Sequence, residues 1–211
     1  MKYLKMLGLT VVAAVALTAL VGAGAASATV LCKNNLNTEK CSEPYPVGTK
    51  GTASLASGSS AIIEEVGPEG ETLDTCKGST ATETLQNAGS ATTTVTGKVA
   101  ASGITWSNCT FSTTTISGGE AELHWIAGTD NGTLTAKGFE VTINTIFFGS
   151  CVYGLGSTMK DWGTIVGGAP GSFTANAIVS KISGGVTCPT EARVTGKYIN
   201  TEPKAGYVAA G

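Results

Sequence analysis

Histidine and arginine are nearly missing from this 211-residue chain, which has one of each, His124 and Arg193. Charged residues make up only 13% of it and aromatic residues 6%. Nucleic-acid binding needs clustered Lys and Arg to displace counterions, and bidentate phosphate recognition needs arginine forks. No nucleic-acid partner is therefore expected. A Ser–His–Asp triad would have to run through His124, and the chain has no Gly-x-Ser-x-Gly elbow. No two cysteines have the close spacing of a zinc site. The sequence thus assigns no catalytic residue, no cofactor and no metal site. Beyond Val30, no apolar run approaches the roughly 20 residues of a membrane helix.

The chain does carry an export pattern. Lys2 and Lys5 precede an apolar run from Leu7 to Val21, and Ala26-Ser27-Ala28 supplies a small-x-small cleavage site. We read residues 1–28 as a helical signal peptide that is removed, and residues 29–211 as one secreted β-domain. Residues 29–49 form its cysteine-bounded N-terminal segment. Losing Lys2 and Lys5 leaves eleven basic residues against fifteen acidic ones, a net charge of −4 with His124 neutral. All six cysteines (Cys32, Cys41, Cys76, Cys109, Cys151 and Cys188) lie beyond the cleavage site. In an extracellular setting they read as a disulfide framework. Six cysteines allow 15 pairings. Loop-closure entropy favours near neighbours, namely Cys32–Cys41, Cys76–Cys109 and Cys151–Cys188.

Between these points the chain consists of short β-branched runs with Gly, Asn or Pro breakers every 8–12 residues. Expected strands include Thr52–Ala56 and Ala61–Val66 as a hairpin, then Thr72–Cys76, Thr80–Leu85 and Thr92–Ala100, with Gln86–Ser90 as a divider. Further on come Ile104–Thr110, Phe111–Ile116, Glu120–Ala127, Thr133–Ala136, Phe139–Ile146, Ser150–Tyr153, Thr164–Val166, Phe173–Lys181, Arg193–Ile199 and Tyr207–Ala209. Residues 155–171 are the least regular stretch. A dozen such strands indicate an all-β fold, an antiparallel sandwich by preference and a closed barrel as the alternative.

Several motifs recur in a set order: Pro44-Tyr45-Pro46-x-Gly48-Thr49, Thr75-Cys76-Lys77-Gly78-Ser79, Asn108-Cys109-Thr110, Cys151-Val152-Tyr153-Gly154 and Cys188-Pro189. This order resembles a group of uncharacterised secreted six-cysteine β-proteins of high-GC Gram-positive bacteria. The resemblance spans nearly the whole chain after the leader. It implies export and an all-β fold, and it brings no activity or site residue with it.

Strand alternation places Glu120, Glu122 and His124 on one face, over Ala121, Leu123 and Trp125 on the other. This reads as a solvent face above a core face. Glu64, Glu65, Glu120, Glu122, Glu140 and Asp161 are the carboxylates from which a glycoside-cleaving pair would be drawn. Trp162, placed in a loop at Met159–Gly163, and Tyr153 are the candidate ligand contacts, because ring faces stack on sugars. The expected function is a non-enzymatic extracellular or cell-surface module that binds a wall polymer, a glycan or a protein, or serves a structural role. A secreted hydrolase with paired carboxylates, and an inhibitor- or toxin-like module, are the alternatives.

Overall fold

The computed structural model describes residues 28–34, 41–68 and 70–211. The expected signal segment, apart from Ala28, and the interior of the Cys32–Cys41 loop lie outside the described residues. Among the described residues there are fifteen strands. They are β1 (Thr29–Cys32), β2 (Lys50–Leu55), β3 (Ala61–Glu65), β4 (Thr72–Ser90), β5 (Thr93–Val99), β6 (Ile104–Cys109), β7 (Ser112–Ser117) and β8 (Gly119–Trp125). The chain continues with β9 (Gly132–Lys137), β10 (Glu140–Thr145), β11 (Gly149–Gly154), β12 (Lys160–Val166), β13 (Ser172–Gly184), β14 (Glu191–Glu202) and β15 (Tyr207–Ala210).

The all-β expectation is met, but the architecture is the closed barrel and not the favoured two-layer sandwich. Eight antiparallel strands form a ring in the order β2-β4-β5-β8-β9-β12-β13-β14, and β14 pairs back onto β2. Closure removes the exposed edges that a sandwich would leave. It rests on pairings such as Tyr198 with Leu55 and Phe173 with Tyr198, between segments far apart in the chain. A second layer, β6, β7, β10 and β11, extends one end of the ring by pairing with β4 and β13.

Local differences have clear causes. β2 and β3 do not form the expected hairpin. Both pair with β4 and with β14, one after the other in the same gap. Between them Gly58 adopts a positive φ of 76°, so the chain jogs without reversing. The expected break at Gln86–Ser90 is absent, because β4 runs for 19 residues and β5 pairs along its far end. β12 extends the strand expected at Thr164–Val166 back to Lys160, so Trp162 stands on a strand and not in a loop. β1, unforeseen from the sequence, pairs with β15 across one end of the barrel.

The three bridges join Cys32 to Cys41, Cys76 to Cys109 and Cys151 to Cys188, with no cysteine left free. They are the near-neighbour pairs, and Cys76 faces Cys109 directly across β4 and β6.

Two apolar clusters fill the ends of the barrel. Leu85, Val95, Leu123, Val208 and Tyr45 pack beneath the β1–β15 ribbon. Ile63, Leu73, Phe139, Ile143 and Tyr153 pack with their neighbours at the other end. The wall between them is built of small residues brought level by register. Ala53 faces Ala81, Gly97 faces Ala121, and Ala121 faces Ala136. Outside, β4 presents Thr80 and Thr82, whose hydroxyls bond to Thr105 at 2.6 Å and Thr52 at 3.2 Å. An apolar inside under a hydroxyl-rich outside is the reverse of a lipid-facing barrel. Among the described residues, no helix is long and apolar enough to cross a membrane.

Candidate functional site

The girdle of Gly and Ala leaves a cavity of about 200 Å³ inside the barrel. Large side chains above and below it cannot close the gap, since side chains on a strand stand nearly perpendicular to the sheet. Leu31 and Tyr45 line one end, and Phe139, Tyr153 and Trp162 the other. Trp162 stacks on Phe139 with ring centroids 5.2 Å apart. Trp162 and Tyr153, the two ligand contacts named from the sequence, therefore both face the same internal space.

One acidic residue was missed. Glu83 sits on β4 between Ala81 and Leu85, and all three line the cavity. The alternation Thr80-Ala81-Thr82-Glu83-Thr84-Leu85 carried the signal, because a glutamate falls on the face opposite the threonine row. The neighbouring strands make room for it. A Cβ at Gly97 would come within 2.9 Å of Glu83 Oε2, and one at Gly51 within 3.7 Å of Oε1. Glu83 is half-buried, and its side chain lies along the cavity wall against Gly51 and Gly97. Among the described residues it has no hydrogen-bond or ion-pair partner. Desolvation accordingly pushes its pKa above the ordinary glutamate value.

The other polar groups of the lining show how unusual this is. The Tyr45 hydroxyl donates to the Ala205 carbonyl at 2.9 Å, Tyr198 donates to Ser79 Oγ at 3.1 Å, and Trp106 Nε1 donates to Thr115 Oγ1 at 2.8 Å. The Tyr153 hydroxyl is the counterexample. It is fully buried without a partner among the described residues, and burial, followed by the charge of Glu65, pushes its pKa up to about 12. Buried polar groups are normally satisfied, so the orphan phenol, on the same cavity as the half-buried, unpaired Glu83 carboxyl, needs a reason.

Asp74 shows what a structural carboxylate looks like in this protein. It is 1% exposed and accepts from the Thr75 N–H at 2.8 Å, the Phe111 N–H at 2.9 Å and the Thr113 hydroxyl. It lies beside Cys76 and Cys109, but their sulfurs are bonded to each other and offer no metal ligand.

Of the acids proposed for a hydrolase, Glu140 shares the cavity lining and the other five stand elsewhere. Glu120 pairs with Lys137 at 2.9 Å, Glu64 lies 3.9 Å from Arg193, and Asp161 is exposed. Lys137 holds the Glu120 carboxyl below its ordinary pKa. His124 is half-buried on the outer face, 3.3 Å from Thr135 Oγ1 and 3.9 Å from Glu122.

The orphan carboxyl should be visible in stability. Because the folded state raises the pKa of Glu83, it holds that proton to higher pH than the unfolded chain does. Stability should therefore fall as pH rises from the ordinary glutamate range through the raised value. Glu83→Gln should be more stable than the parent at pH 8, by about 1 kcal/mol, because the amide carries no charge to desolvate. The gain should shrink at pH 4. Thermal unfolding of both proteins at the two pH values checks this, and an equal shift at both would contradict it.

Fold and site together define a closed eight-stranded antiparallel barrel with an acid-bearing internal cavity. Compared with known protein families, curated proteins and solved structures, the chain finds no match.

Proposed function

We propose that this protein is an extracellular binding module that holds one small, largely apolar molecule inside its barrel. The observation that carries this reading is the cavity itself, walled by apolar side chains and bearing a carboxyl that has no partner among the described residues. Eight-stranded barrels have an interior wide enough for packed side chains or for a single small ligand. Apolar pockets with a few polar groups are the usual form of such sites. A ligand there would bury the apolar wall and pair the acid, and both contribute to binding. The extracellular setting is supported by the leader pattern and by six cysteines all in bridges. It also agrees with the bacterial secreted group that the sequence resembles. The expectation of a surface module for polymers is thereby revised in one respect: the ligand lies within the fold and not on a face.

The test is a blocked cavity. A Cβ at Gly51 meets only the Glu83 side chain, at 3.6 and 3.7 Å, so Gly51→Leu fills the space without pushing on backbone. Ligand-observed NMR with ethylbenzene should show binding to the parent protein and none to Gly51→Leu. Parent and variant behaving alike would refute an internal site.

A further inference from the structure

We infer that the molecule held in this cavity is a small organic cation: a primary ammonium on a single ring or a short alkyl body, with the ammonium on the Glu83 carboxylate. This rests on the internal binding site proposed above and adds the chemical class of its occupant.

Charge is the first argument. The lining contains three carboxyl side chains, Glu83, Glu140 and Glu202, and among the described residues no Lys, Arg or His. An anion would meet these acids with no counter-charge. A neutral hydrocarbon would gain apolar burial and leave Glu83 unpaired. Only a cation completes the site. Its desolvation cost is also shared unequally, because the protein around Glu83 already strips part of the water from its carboxyl before a ligand arrives.

The walls supply the second argument. Trp106, Trp162, Phe139 and Phe173 line the same space. Aromatic faces attract ammonium groups and also pack on an apolar body. The space beside the carboxyl is open because Gly51 and Gly97 flank it on the two neighbouring strands.

Size is the third. A space of about 200 Å³ is close to that of cavities known to hold one aromatic ring. The occupant is therefore a compact amine, not a polyamine chain or a peptide.

Three probes of nearly equal shape separate the outcomes: 2-phenylethylamine, ethylbenzene and 3-phenylpropionate, titrated into the intact protein at pH 7.5 by calorimetry and ligand-observed NMR. The amine should bind at least roughly 30-fold tighter than ethylbenzene, as expected where a charged hydrogen bond is gained, and the carboxylate should not bind. In Glu83→Gln, the amine-to-ethylbenzene preference should collapse to about one, with folding verified by its thermal transition. If the amine and ethylbenzene bind the parent protein equally, or if Glu83→Gln keeps the preference, the cation inference is wrong while the internal site stands. If no probe binds the parent protein, the internal site itself is wrong. The parent-protein measurements decide the matter even if the variant does not fold.

Discussion

Asp74→Ala should cost about 3–5 kcal/mol of folding stability, the largest loss expected from any single exposed-to-none carboxyl in this barrel. The substitution removes one residue but orphans several groups. The N–H groups of Thr75 and Phe111 and the hydroxyl of Thr113 all point at the Asp74 carboxylate. Each would be left in an interior where Asp74 itself is 1% exposed. Two of these donors come from the turn between β6 and β7 and from the start of β7, so the carboxylate also pins that turn to β4. Asp74→Asn should lose less, because one acceptor oxygen survives, but its amide N–H₂ would confront another donor. Urea unfolding of the three proteins measures the order. A loss under about 1 kcal/mol for Asp74→Ala would mean that water replaces the carboxylate there.

The second large effect is covalent. Replacing Cys151 and Cys188 together by alanine should cost about 4 kcal/mol, because their bridge closes a loop with a sequence separation of 37. Cys76 and Cys109, separated by 33, should cost nearly the same. Cys32 and Cys41, separated by only nine, should cost about 2.5 kcal/mol. The ordering follows from chain entropy, since a longer loop removes more freedom from the unfolded chain. Cys151 and Cys188 are also buried in the larger apolar cluster, at 1% and 2% exposure, so their loss adds a small cavity. Denaturant midpoints of the three double variants test the ranking. A short-loop variant that is the least stable of the three would show that the N-terminal bridge does more than restrain the unfolded chain.

Much of this was legible beforehand, and the misses are instructive. Alternation on β8 correctly set Ala121 and Leu123 inside, at 5% and 4% exposure, with His124 outside. On β4 the same rule sets Thr80, Thr82 and Thr84 together on one face. Its opposite face, Ala81, Glu83 and Leu85, holds the one residue on which the site depends. Trp162 was placed in a loop at Met159–Gly163 but stands on β12. In the structure a bulge between Asp161 and Gly163 accommodates the irregularity, and the strand continues. The supposed β2–β3 hairpin failed for a related reason. Ser57-Gly58-Ser59-Ser60 signals a bend in the chain, but a bend does not say whether the next strand returns beside the last or runs on beyond it.

The residues alone establish what depends on near neighbours: short strands, a hydroxyl-rich outer face and cysteines able to pair over short loops. Each of these is a relation between positions a few residues apart, or between residue type and solvent. Closure of the ring, the level at which Ala53, Ala81, Gly97, Ala121 and Ala136 meet, and the isolation of Glu83 among them came only from the folded chain. They depend on strand register across the whole barrel, where a shift of one residue would turn every side chain of a strand to the other face. No local pattern encodes that offset, because it is set by the joint packing of all eight strands.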